Sequence, residues 1–148
     1  MNVIALVGKS NCGKSETIGI VYQYLLDFGF TQIKSPNYFE VLGNPTIRDF
    51  IDILEKNGVK IGVVSAGDYV IGPMSVKNNL SKLEAADCYV AITACTTNNP
   101  KAEDQVKLYS NHFFVAKFPV IESQQRISNN AYANQIINKL QEYLTGSI

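Results

Sequence analysis

The sequence predicts an α/β protein of three layers, αβα, with a mainly parallel sheet of about five strands between helices. Three observations carry that expectation. Short apolar runs alternate with stretches of helical period along the 148 residues, which is the pattern of βαβ units. Several of those runs are continuously apolar rather than alternating, as in strands covered on both faces. The length suits one domain, read as residues 1–148, and is sufficient to bury a core without staples.

The elements follow in order. Residues 3–7 form the first strand, and Gly8 closes it. Residues 14–28 read as a helix, with Ile18, Val21, Leu25 and Phe28 on one side and Gly29 as its stop. Residues 31–34 and 38–42 read as one strand, or as a pair interrupted by Ser35, Pro36 and Asn37. Asn44 and Pro45 open a second helix, because Asn caps well and Pro suits the first helical position. Ile47, Phe50, Ile51 and Leu54 give it the spacing i, i+3, i+4, i+7, and Asn57-Gly58 ends it.

Residues 59–65 read as a buried strand, and Val76, Leu80 and Leu83 mark a third helix. Residues 88–93 form a strand, Asn99-Pro100 opens a fourth helix reaching about Tyr109, and residues 113–118 form another strand. Ala133, Ile136, Ile137, Leu140 and Leu144 line a closing helix. In such sheets the crossovers are right-handed and ligands bind beyond the carboxyl ends of the strands, where Gly8 stands.

Composition removes several classes of function. Thirteen basic residues balance thirteen acidic ones, so no overall basic field supports a nucleic-acid partner. The apolar start is too short for a signal peptide, and no run is long enough to span a membrane. Cys12, Cys88 and Cys95 show neither a paired pattern nor a metal spacing. With His112 the one histidine, a zinc site is disfavoured. These features point to the cytoplasm, with no membrane partner.

The residues Gly8-Lys9-Ser10-Asn11-Cys12-Gly13-Lys14-Ser15 match G-x-x-x-x-G-K-[ST] in full, the spacing of a phosphate-binding loop. Gly8 lets the chain leave its strand where a side chain would block the turn. The amides of Lys9, Ser10, Asn11 and Cys12 can curl into a concave set of donors. Gly13 lets backbone approach a phosphate, Lys14 reaches the β- and γ-phosphates, and the Ser15 hydroxyl can ligate Mg²⁺. The helix that begins there, with Glu16 in its first turn, adds its positive dipole end and free N–H groups.

On these residues the chain resembles the P-loop NTPase superfamily, and within it small, poorly characterised bacterial or phage ATPase- or kinase-like proteins. The motif covers Gly8 to Ser15, and the βα alternation extends the likeness more loosely. The resemblance implies a P-loop NTPase-like fold and nucleotide binding by Gly8, Lys9, Ser10, Asn11, Cys12, Gly13, Lys14, Ser15 and Glu16. It also implies a carboxylate at the end of another strand that holds Mg²⁺ through water. Asp68, following residues 59–67, is either that carboxylate or a polar turn residue after Gly67. Lys14 and Asp68 are then the candidate catalytic residues, and Ser15 and Asp68 the candidate metal ligands.

Other polar residues read more plainly. Asp49 and Asp52 are other carboxylates that could face a site, although Asp49, three residues after Thr46, better suits a capping role, and Asp52 the solvated face of the second helix. The Asp-x-x-Gly and Asn-Lys-x-Asp motifs of P-loop GTPases are absent. Phosphoryl transfer needs positive charge around the transferred group, yet the arginines are only Arg48 and Arg126. Arg126 follows the last strand, where it either lies near a nucleotide base or sits on the surface. The loop of residues 95–100 and the segment of residues 35–39 are alternative substrate contacts or simple turn and packing residues.

The expectation is therefore Mg²⁺-dependent binding of a nucleoside triphosphate, ATP ahead of GTP, with phosphoryl transfer or hydrolysis, as in an ATPase or small-molecule kinase. The alternative is a non-catalytic nucleotide-binding switch or partner module. Expected partners are the nucleotide and either a small-molecule acceptor or another protein, which could also lend a missing arginine in trans.

Overall fold

The computed structural model describes residues 1–42, 49–67, 75–97 and 100–145. Its elements are β1 (Asn2–Gly8), α1 (Lys14–Asp27), β2 (Thr31–Gln32), β3 (Glu40–Leu42), β4 (Asp49–Lys56), β5 (Val59–Val64), α2 (Val76–Ala85), β6 (Val90–Thr96), α3 (Pro100–Lys107), β7 (His112–Lys117) and α4 (Gln125–Leu144). A single 3₁₀ turn, Glu122–Gln124, leads into α4.

The fold is α/β, but its sheet is not the expected five-stranded, mainly parallel, P-loop NTPase-like one. It has seven strands in the order β2-β4-β5-β6-β1-β7, with β3 also paired to β4. Strands β5, β6, β1 and β7 run parallel. Strands β2, β3 and β5 all pair antiparallel with β4.

The difference lies in β4, which occupies most of the segment expected as the second helix. Asn57 and Gly58 both take positive φ, 52° and 80°, and join Lys56 to Val59 directly across the ladder. That is the two-residue hairpin turn whose backbone twist matches its strands, rather than a helix stop. Ile51 and Ile53 point into one core cluster, while Leu54 and Phe50 serve the other. A strand buried on both faces thus reproduces the i, i+3, i+4 spacing of a helix. The proposed opening of that helix at Asn44-Pro45 lies outside the described residues.

The remaining elements match the expected order, with shifted ends. Helix α1 ends one residue before Phe28, and β6 runs on to Thr96. Alternation in the strands divides the core. Ile4, Leu6, Ile61, Val63, Ile92 and Val115 meet Ile18, Val21 and Leu25 of α1 and Ile136 and Leu140 of α4. Val3, Ala5, Val7, Val64 and Ala91 meet Leu80 and Leu83 of α2 and Ala102 and Val106 of α3. Helices therefore cover both faces, and this burial is the main stabilising term. No helix among the described residues is long and apolar enough to cross a membrane.

Candidate functional site

The loop between β1 and α1 is built by close approach. A Cβ on Gly8 would stand 2.6 Å from Cys12 Sγ and 2.9 Å from the Lys117 carbonyl oxygen. Gly13 has φ +90°, and a Cβ there would collide with Gln125 and lie 2.5 Å from Asn129 Oδ1. Asn11 also takes positive φ, 61°, a conformation Asn tolerates. Only glycine fits both ends of the loop, because the first two turns of α4 press on one end and β7 on the other.

Gly13 caps α1 without a side-chain hydrogen bond, so among the described residues the first-turn amides gain no cap from it and, by position, no intrahelical partner. The helix dipole adds positive potential at the same point. Lys14 is buried, 7% exposed. Its Nζ donates to the carbonyls of Gly8 at 3.0 Å and Lys9 at 2.7 Å. Among the described residues the ion pairs are Lys82–Glu40 and Lys139–Glu142, so this buried ammonium has no carboxylate counterpart there. A buried cation whose described partners are carbonyls alone is costly, and an anion at the loop would relieve that cost.

Ser15 Oγ donates to Asp49 Oδ1 at 2.8 Å, and Ser65 Oγ donates to the same oxygen at 3.1 Å. Asp49 is buried, 6% exposed. It is neither a helix cap nor a surface residue, because β4 carries it to the carboxyl-end side of the parallel strands. Asn11, Gly13, Lys14, Ser15, Glu16, Asp49, Ser65, Gly67 and Gln125 line one cavity of about 310 Å³. Asn11, Gly13, Lys14 and Ser15 of the loop therefore share one space with Asp49, in place of the capping role that Thr46 suggested for it.

Asp52 departs equally from its expected solvated position. It is buried and accepts from Tyr22 at 2.6 Å, Gln32 at 3.0 Å and the Ile53 amide at 2.8 Å. Burial, then the adjoining Asp52, pushes the Tyr22 phenol above its ordinary pKa. This cluster faces α1, away from the loop cavity.

The other expected site residues fall as follows. Lys9, Ser10, Asn11 and Glu16 are exposed, while Cys12 and Gly13 are buried. Arg126 is exposed and lines a neighbouring hollow with Ile20, Glu122, Gln125, Asn129 and Asn130, so it does not join the loop cavity directly. Asp68 and Arg48 lie outside the described residues. Burial, then Glu103, pushes the Cys95 thiol up to about 12, consistent with an inert core thiol.

Two buried charged residues near the loop, Asp49 and Lys117, are not apparent from motif spacing. Asp49 carried a signal, a carboxylate on a two-sided apolar strand preceding an Asn-Gly turn, but only the hairpin reading exposes it. Lys117, at the end of β7, carried none, because a lysine ending a strand is ordinary in sequence. Comparison with family models, curated proteins and solved structures found no match to this chain.

Proposed function

We propose that this chain binds the phosphates of a nucleoside triphosphate with Mg²⁺ and catalyses phosphoryl transfer or hydrolysis. The observation that carries the reading is Lys14, a buried ammonium with no described carboxylate partner, beside the uncapped first turn of α1. Surface lysines need no such arrangement.

The donor set also suits the metal. Mg²⁺ keeps several waters and takes only one or two protein oxygens besides those of its phosphates. The Ser15 hydroxyl and the Asp49 carboxylate, already hydrogen-bonded to each other, supply that number. Among the described residues no cluster of three acidic, histidine or cysteine ligands occurs, and a site shared with phosphate requires none. When bound, the metal would neutralise charge developing on the phosphate oxygens.

The chain's own residues have distinct tasks. Lys14 and the loop amides hold the phosphates and stabilise their charge. The Ser15 and Asp49 oxygens would hold the metal between them, the Ser15 hydroxyl keeping its hydrogen bond to Asp49. Ser65 fixes the Asp49 carboxylate through its second hydrogen bond. Calorimetric titration of Mg-ATP and Mg-GTP against wild type and K14A tests binding, and phosphate release with an acceptor screen tests turnover. A wild-type protein that binds neither nucleotide overturns the proposal.

A further inference from the structure

Lys117 is the second buried lysine at the carboxyl end of the parallel strands. It is 3% exposed and lies directly across the ladder from Gly8. Its Nζ donates to Ser128 Oγ at 3.1 Å and stands 4.9 Å from the centre of the Tyr132 ring. Among the described residues it has no carboxylate partner. Burial lowers its pKa, Cys12 and Glu16 act against that shift, and Lys14 adds to it. Two buried ammonium groups therefore flank one loop, Lys14 lining its cavity and Lys117 lying outside that lining, against α4.

The placement is specific. Ser128 directly precedes Asn129, whose side chain stands against Gly13. The ammonium is thus anchored one residue from the contact that closes the loop. Across the sheet, Asp49 and Ser65 belong to the β4–β5 side of the loop and Lys117 to the β7 side. Strands β5 and β7 stand three strand spacings apart, about 14 Å. A triphosphate whose metal were held by Ser15 and Asp49 would have room to extend along the loop toward β7. The four-carbon stem of lysine lets the charge swing from a weak hydroxyl partner to such an oxygen.

We infer that Lys117 is the second phosphate-binding cation of the site, resting on Ser128 and leaving it to engage the nucleoside-proximal phosphate. This rests on the phosphate reading of the Lys14 loop. It also gives the arginine-poor chain a second positive charge of its own at the phosphates.

The test is calorimetry with Mg-ATP, Mg-GTP and Mg-tripolyphosphate on wild type, K14A, K117M and S128A. Exchange of a buried charge for an apolar residue of similar shape is commonly tolerated, and thermal unfolding without ligand checks that K117M folds. We expect K117M to weaken the nucleotide that wild type binds, and tripolyphosphate with it, by about 10-fold or more. S128A, which removes only the resting partner, should bind as tightly as wild type or tighter.

Equal weakening by S128A and K117M would make the pair a brace between β7 and α4 and overturn the inference. So would loss of nucleotide binding with tripolyphosphate unaffected, which would assign Lys117 to the nucleoside. If K14A abolishes binding and K117M matches wild type, Lys117 is eliminated while the phosphate reading stands. If wild type binds none of the three ligands, both fail.

Discussion

Asp49 and Asp52 lie three residues apart on β4, both are buried, and both accept a hydrogen bond from a side chain of α1. Their surroundings separate them. Asp52 is saturated by a phenol, an amide side chain and a backbone amide, and it faces the helix packed over the sheet. Asp49 is held by two hydroxyls and borders the cavity that contains Lys14. A fully satisfied buried carboxylate fixes structure. On the proposed function, Asp49, held by exchangeable hydroxyls beside a cation that has no carboxylate partner among the described residues, is the one that takes a new partner.

The largest effect belongs to the cavity end. K14M should weaken Mg-nucleotide binding by about 100-fold or more, because it removes the partner of a buried charge. Calorimetry reads this directly, and retention of affinity would remove the loop from any phosphate role. Next, D49N should weaken Mg²⁺-dependent binding by about 10- to 100-fold, the range seen when groups supporting a metal site are lost. D52N should leave the affinity of the folded protein unchanged. If the two variants lose affinity equally, the distinction between the carboxylates collapses.

Stability should show the reverse order. D52N turns an amide toward groups that need an acceptor and should cost about 1–3 kcal/mol in urea unfolding, and D49N should cost less. A smaller loss is expected from G58A at the hairpin turn, where φ is +80°. A side chain in that conformation costs about 1–2 kcal/mol. Because the turn sets the register of both carboxylates, a melting-point drop with unchanged nucleotide affinity would show that the ladder holds register without its glycine.

The strand–loop–helix at Gly8 to Ser15 was legible in sequence because glycine stands at the two points where a Cβ would collide and an apolar helical period follows. Gly8, Gly13, Lys14 and Ser15 stand where the motif places them, with the strand before and the helix after. The sheet was less legible. Phe50, Ile51, Ile53 and Leu54 serve two opposite faces, and local spacing cannot tell that from a helix stripe. Asn57-Gly58 suits either a helix end or a hairpin, and pairing with β5 decides between them. The carboxylates were misplaced for the same reason, since Asp49 becomes a cap and Asp52 a surface residue only on a helix. Lys117 was invisible because its partners, Ser128 and Tyr132, sit on α4, beyond the reach of local spacing.

The last and smallest effect concerns pH and brings β7 into the comparison. Lys117 faces Ser128 and Tyr132 of α4 and lies within electrostatic reach of Cys12, Lys14 and Glu16. Its pKa is lowered in the fold, first by burial, so the unfolded chain binds its proton more tightly. Between the lowered value and the ordinary 10.5, the unfolded state carries more protons and stability rises with pH. Below that window both states are protonated and the full cost of the buried charge is present. K117M lacks this contribution, so its stability relative to wild type should be greatest near neutrality and shrink as pH climbs toward 10. Groups that titrate in both proteins, such as Tyr22 and Tyr109, cancel in the difference. Urea unfolding of the pair across that range provides the measurement. A difference independent of pH would mean that Lys117 pays no protonation cost in its resting position, and so has no electrostatic reason to leave Ser128 for a phosphate.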